Sequence, residues 1–148
     1  MPPAGARRLS FAALEERANR LAHALAARGV KAGDHVGLYL YNGAEFVEAM
    51  LAAFKIRAVP ININYRYVED ELSFLFRNAD LVALIHQREL ASLAAAAAAK
   101  APTLRTFLAV DDGSGEPLTA AGTELYEEAL LAASPSRDFA PRSGKDLY

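Results

Sequence analysis

The chain has 148 residues, of which 53% are hydrophobic, and a formal net charge of −2. This length suits one ordinary domain with a buried core, and the charge balance gives no basic surplus for binding nucleic acid or acidic membranes. The lack of cysteine excludes disulfides, thiol nucleophiles and zinc–thiolate sites. No apolar run approaches the roughly 20 residues of a membrane helix, and no apolar signal segment follows Met1. We therefore expect a cytoplasmic protein of the α/β or all-α class.

The first predicted elements are a helix from about Ser10 to Arg28 and a strand at residues 35–41. Ser10 is a favourable N-cap, and Gly29 can take the left-handed conformation that ends many helices. The helix has an apolar stripe at spacings of three and four, formed by Phe11, Leu14, Ala18, Leu21 and Leu25. Its charged residues Glu15, Glu16, Arg17 and Arg20 lie off that stripe, where we expect water to reach them. The strand is a short apolar run bounded by turn residues.

This helix–strand unit then recurs along the chain. Asn42 and Glu45 have the spacing of a capping box at the start of a second helix. That helix carries Phe46, Val47, Met50, Leu51 and Phe54 on one side. The remaining units are a strand at 58–63, a helix at 68–78, a strand at 81–85, a helix at 87–100 and a strand at 104–110. Four strands separated by single helices predict right-handed crossovers, and therefore a mostly parallel sheet with helices on both faces.

The composition changes after residue 110. Residues 111–117 are a polar loop, residues 123–133 predict a short helix, and residues 134–144 are rich in Pro, Ser and Arg and predict an extended linker. We therefore divide the chain into a βα-repeat region at 8–110 and a region of loop, short helix and linker at 111–148.

Signatures of chemistry are largely missing from the sequence. No Gly-x-Gly-x-x-Gly follows a strand, and no glycine lies five positions before Gly144 and Lys145, as a P-loop requires. Gly113-Ser114-Gly115 resembles part of a nucleophile elbow but lacks its strand–turn–helix context, so we interpret it as a surface turn. The three histidines do not have metal-ligand spacing. These patterns predict no catalytic, cofactor-binding or metal-ligating residue in the chain.

Ligands of open parallel sheets gather beyond the carboxyl ends of the strands. The polar residues predicted there are Asn42, Asn62, Asn64, His86 and the pair at 111–112. His86 titrates near neutrality and is the candidate for acid–base chemistry, although a solvated or capping side chain at a helix start explains it more simply. The three asparagines are explained as caps and turn residues.

A set of short motifs between residues 9 and 62 carries a family resemblance. The motifs are Leu21-Ala22 with Leu25, Gly29-Val30, Gly33-Asp34-His35-Val36, Asn42 with Glu45-Phe46, and Ala58-Val59-Pro60 with Asn62. In this order and spacing they resemble the N-terminal region of the AMP-forming acyl-CoA synthetases, within the adenylate-forming superfamily. The resemblance implies that residues 1–148 are a portion of that family's large N-terminal domain.

The resemblance extends to the later part of the chain. Residues 64–72 resemble a family segment written Asn-Pro-Arg-Leu-Thr-x-x-Glu-Leu, with Tyr65 in place of Pro and Val68 in place of the capping Thr. Together with residues 126–130 and 142–148, this variant is similar to an actinobacterial subgroup that acts on fatty or steroid side-chain acids.

The resemblance also implies a reaction for a parent protein. A carboxylic acid attacks ATP to form an acyl-adenylate, and CoA then displaces AMP, with Mg²⁺ as the metal. The family's phosphate loop begins a few residues after the segment matching 146–148, and its catalytic motifs and C-terminal domain are not in this sequence. No catalytic, cofactor-binding or metal position is therefore carried over to any residue here. We expect an incomplete N-terminal AMP-binding domain that is inactive in isolation.

One alternative is a self-contained small α/β binding or signalling module without catalysis. A receiver-like module requires acids at the end of the first strand and near the third, where this sequence has Asn42 and His86. The oligomeric state stays open. A homo-oligomer, or association through a surface that a missing domain normally covers, is compatible with the sequence.

Overall fold

The computed structural model describes residues 8–139, and in this part of the chain a single parallel sheet carries five helices. The strands are β1 (His35–Tyr39), β2 (Val59–Asn62), β3 (Leu81–Gln87), β4 (Thr106–Val110) and β5 (Glu124–Leu125). The helices are α1 (Phe11–Ala27), α2 (Ala44–Lys55), α3 (Glu69–Asn78), α4 (Ala91–Ala98) and α5 (Tyr126–Leu131). A 3-10 turn at Arg88–Leu90 precedes α4. The predicted α/β class and parallel sheet are confirmed.

The strand order is β2–β1–β3–β4–β5, and every neighbouring pair is parallel. Alternate strand residues face opposite sides of the sheet, so each side has its own core. Val36, Leu38, Ile85 and Leu108 pack with α1, α2 and α5 on one side. Tyr39, Leu84 and Phe107 pack with α3 and α4 on the other. Helices therefore cover both faces, as predicted.

Edge strand β2 shows why its proline is tolerated. Val59 and Ile63 donate their backbone N–H groups toward β1, to the carbonyls of Asp34 and Leu38. Pro60 follows Val59, so its missing N–H falls on the outer side of the strand, where no ladder bond is lost. Proline is confined to such edge positions in sheets and hinders pairing with another strand.

Helix α1 begins as predicted, but its first apolar residue is not in the core. The Ser10 hydroxyl accepts a hydrogen bond from the Ala13 N–H at 3.1 Å, and Gly29 has a φ of +87° just after the helix. Phe11, however, is 92% exposed. Periodicity alone cannot show that the first turn projects beyond its neighbours.

Helix α2 is packed differently from the prediction. Its N-cap is Gly43 and makes no side-chain cap bond, so the expected capping box at Asn42 and Glu45 is not formed. Its buried residues are Glu48, Ala49, Ala52 and Ala53, whereas Val47 is 45% exposed. Small alanines allow close approach of α2, which leaves the larger apolar side chains half-buried.

Two further boundaries differ from the prediction. Strand β3 continues to Gln87, so the predicted helix at 87–100 is shortened to α4. Residues 124–125 form a strand before α5, because parallel pairing with β4 competes with helix formation there. At α3, Glu71 accepts from the Val68 N–H at 3.3 Å, so the carboxylate half of a capping box persists without the threonine. The predicted linker residues 140–144 and the family-like segment at 146–148 lie outside the described residues.

Candidate functional site

The carboxyl edge of the sheet is the place where this strand order favours ligand binding. The connection from β1 leads to β2 on one side, whereas β3 lies on the other side of β1. The crevice between β1 and β3 is therefore the topological switch point, outside which ligands of doubly wound sheets bind.

His86 lies near this edge but does not reach it. It is in β3, 1% exposed, and its Nδ1 is 2.8 Å from the backbone oxygen of Gln87. Burial lowers the pKa of His86, an effect that the Gln87 carbonyl and Asp112 partly oppose. The interpretation as a solvated or capping side chain at a helix start is wrong, because the strand continues through this position and the side chain is buried. A base this buried has no access to a ligand in the crevice, so the structure gives no support for acid–base chemistry.

Gln87 closes the crevice between β1 and β3. Its Oε1 accepts from the Tyr41 N–H at 3.3 Å, and its Nε2 donates to Asp112 at 3.3 Å. The same Asp112 oxygen accepts from the Glu89 N–H at 2.9 Å, and the Tyr41 hydroxyl donates to Glu89 at 2.8 Å. One side chain thus bridges the ends of the two strands and a following loop, where a ligand would otherwise lie.

The charge at this network is negative. Burial raises the pKa of Tyr41 to about 12, and the hydrogen bond to Glu89 adds to the rise. Burial opposes ionisation of Asp112, yet hydrogen bonds from Ser114, Glu89 and Gln87 lower its pKa overall. Asp112 and Glu89 therefore repel a phosphate group.

A cleft of about 340 Å³ opens beside this network, at the ends of β1 and β2. Its lining combines asparagines, tyrosines and aliphatic residues: Leu40, Asn42, Asn62, Ile63, Asn64, Tyr65, Tyr67 and Leu75. The structure therefore brings together the three asparagines that the sequence placed at this edge. Of these, Asn64 makes the expected local turn, with its Oδ1 accepting from the Arg66 N–H at 2.9 Å. The cleft offers neutral hydrogen bonds and apolar contact, and its lining contains no cationic side chain.

No metal centre is found in the described part of the chain, where no three His, Asp or Glu residues are grouped to hold an ion. Within the same residues, no helix is long and apolar enough to cross a membrane.

The helical face formed by α1, α2 and α5 contains an ionic cluster that the sequence did not reveal. Glu48 of α2 is completely buried and accepts from Arg17 of α1 at 2.7 Å and from the Tyr126 hydroxyl at 2.7 Å. Arg17 also donates to Glu127 at 2.6 Å. The prediction that Arg17 is solvated is wrong, because this side chain is only 18% exposed. The sequence signal was an acid among the alanines of α2, which has no meaning until α1 and α5 are placed beside it.

Comparison with known proteins identifies the class. The profile of the AMP-binding enzyme family matches residues 4–146. In solved structures, the anthranilate CoA ligase AuaEII superimposes with a TM-score of 0.85 over 95% of this chain and 26% of that one, at 23% identity, which shows the fold alone. The N-terminal domain of FACL13 from Mycobacterium tuberculosis matches with a TM-score of 0.80 at 26% identity, over 95% of this chain and 33% of that one. The chain belongs to the AMP-binding enzyme family.

More particular matches come from actinobacteria. The chain is 51% identical over 142 residues to a 3-oxocholest-4-en-26-oate–CoA ligase of Rhodococcus rhodochrous, covering 96% of this chain and 26% of that protein. It is 45% identical over 144 residues to a medium/long-chain-fatty-acid–CoA/3-oxocholest-4-en-26-oate–CoA ligase of Mycolicibacterium smegmatis, covering 97% and 26%. The chain thus matches the N-terminal part of these ligases and spans about a quarter of their length.

Proposed function

We propose that this chain is the leading part of an ATP-dependent acyl-CoA ligase, which adenylates a carboxylic acid and then transfers the acyl group to CoA. The observation that carries this proposal is the 51% identity to the Rhodococcus rhodochrous ligase along 96% of the chain. By the same likeness we propose a fatty acid or a steroid side-chain acid as substrate, and a cytoplasmic parent enzyme that uses ATP, Mg²⁺ and CoA.

The described residues do not form a binding site that suits the phosphates of a nucleoside triphosphate. Catalysis of phosphoryl chemistry requires cations or converging backbone donors that stabilise the transferring group. The cleft at the ends of β1 and β2 has a neutral lining, and Gln87, Glu89 and Asp112 close the neighbouring crevice. We therefore propose that the phosphate loop and the C-terminal domain lie in the part of the ligase outside these residues. The described residues themselves then serve as a structural scaffold without catalytic groups.

The first test is an assay of the chain by itself. Pyrophosphate release is measured with ATP, Mg²⁺ and a panel of fatty acids and steroid acids. We expect no turnover, because the donors that stabilise the phosphoryl transition state are missing from the described residues. Measurable acid-dependent turnover would sink the proposal that this portion is scaffold only.

The second test joins the chain to the part of the Rhodococcus rhodochrous ligase that it does not match. We expect acid-dependent AMP release from the joined protein, since 51% identity lets the helix and sheet surfaces pack in the same way. The matched control is the same Rhodococcus part expressed without the chain, which should be inactive. A joined protein that folds cooperatively but shows no activity with any acid in the panel contradicts the assignment to a ligase.

A further inference from the structure

The segment after α5 is fixed more firmly than its composition predicts. Residues 133–139, here called the strap, contain no helix or strand, and the sequence predicted an extended linker from residue 134 onward. The strap nevertheless lies along α1, and its last residue, Phe139, stacks on the His23 ring with 4.6 Å between ring centroids. Because the strap forms no regular backbone hydrogen bonds of its own, other parts of the molecule must hold it in place.

Three side chains of α1, here called the α1 seat, hold the strap by its backbone. Arg20 donates to the Ala133 carbonyl at 2.8 Å, and Asn19 donates through Nδ2 to the Pro135 carbonyl at 3.1 Å. His23 Nε2 lies 2.9 Å from the Ser136 carbonyl. Asn19 is 2% exposed, so its amide is a preformed donor beneath the strap.

The Nε2 atom of His23 lies close to two acceptors of the strap. The same Nε2 lies 3.1 Å from a carboxylate oxygen of Asp138. Both neighbours are acceptors, so Nε2 must carry a hydrogen in either charge state of the ring. Arg137, between these two strap residues, pairs with Glu15 of α1 at 3.3 Å, but its side chain is 80% exposed.

Most of these bonds go to carbonyl oxygens, so the seat recognises the path of the strap and not its sequence. We propose that Asn19, Arg20 and His23 form a docking surface for residues 133–139 that fixes the direction in which the polypeptide leaves the βα unit. The docking itself concerns this chain alone. Its purpose, which is to orient the next part of an acyl-CoA ligase relative to this one, rests on the proposed function.

Trypsin cleavage after Arg137 tests the docking, because a protease needs the strap to detach before it can cleave there. When opening is fast, cleavage reports the population of the detached state. In the full chain we compare the rate of cleavage at Arg137 in the double variant Arg20→Ala/His23→Ala with the original protein. Loss of two hydrogen-bonding side chains should raise the rate by about tenfold or more, while the urea midpoint of the βα core stays nearly unchanged.

Two matched variants make the test specific. Arg105→Ala removes an arginine that donates to the Gly29 carbonyl at 2.9 Å, the same kind of bond away from the strap, and should leave the rate unchanged. The second variant, His23→Gln, leaves Arg20 unchanged and keeps a side-chain amide donor at position 23. It should retain most of the protection against cleavage that the single variant His23→Ala loses. An unchanged rate in the double variant, or an equal rise in Arg105→Ala, overturns the proposal. Neither result bears on ligase activity, which the joined protein tests separately.

Discussion

The carboxyl edge and the α1–α2–α5 face use polar side chains in opposite ways. On the helical face, Glu48, Arg17 and Tyr126 meet in a buried cluster that ties three helices together. At the edge, Asn42 and Asn62 are exposed around an open cleft. The difference indicates that the first set is required for the fold, whereas the second is available for contact with something else.

The switch point between β1 and β3 combines features of both regions, because it lies at the carboxyl edge but its polar side chain is buried. Gln87 is buried and bridges Tyr41 and Asp112, so it uses polar atoms for structure at the place where related strand orders bind ligands. In this fold the position alone does not make a site. The side chains that fill it decide the function.

The largest expected effect is at Glu48. Glu48→Leu removes the carboxylate that pairs with Arg17 and accepts from the buried Tyr126 hydroxyl, and should lower the free energy of unfolding by about 3 kcal/mol. Urea denaturation measures this change. The matched control at the carboxyl edge is Glu89→Ala, which breaks the exposed bond to Tyr41 and should cost less than about 1 kcal/mol. Equal losses in the two variants would contradict the contrast between the regions.

An intermediate effect is expected at Gln87. Gln87→Ala leaves Asp112 without one donor and the Tyr41 N–H without its acceptor, and should cost about 1–2 kcal/mol by urea denaturation. Gln87→Glu keeps the length but replaces the donor with a second carboxylate beside Asp112, and should destabilise the protein more at pH 7 than at pH 4. A Gln87→Ala variant as stable as the original protein would show that water satisfies these groups and that the crevice is open.

His86 should make the stability of the folded protein depend on pH. Because burial lowers the pKa of His86 in the folded protein, the unfolded chain binds the proton first as the pH falls. Stability should therefore decline as the pH drops below about 6.5, the ordinary histidine value, toward the lower folded pKa. The difference in urea midpoint between the original protein and His86→Phe, measured from pH 7.5 to 5, isolates this contribution. A difference that is constant with pH would show that His86 is solvated in the folded protein.

The sequence predicted the elements well and the polar contacts poorly, for a physical reason. Apolar periodicity and caps such as Ser10 act locally. The succession of helices and strands along the chain could therefore be predicted before any packing was known. The partners of Arg17 are 31 and 110 residues away in sequence, and they meet only after the strand order brings α2 and α5 beside α1. His86 shows the same limit, since it lies in the part of β3 that extends beyond the prediction, where it pairs with Tyr39 of β1 and Ala109 of β4.

The smallest expected effect concerns the asparagines of the cleft. Sequence spacing made Asn42 the N-cap of α2, but Gly43 occupies that position and makes no side-chain cap bond. Asn42→Ala should therefore change the free energy of unfolding by less than about 0.5 kcal/mol, whereas Ser10→Ala, at an occupied cap, should cost about 1 kcal/mol. Thermal or urea denaturation of the two variants in parallel distinguishes these outcomes. A loss at Asn42 as large as at Ser10 would mean that the carboxyl edge uses its asparagines for stability after all. A negligible loss would show that Asn42 contributes nothing measurable to the stability of the fold, as expected for an exposed side chain at an open cleft.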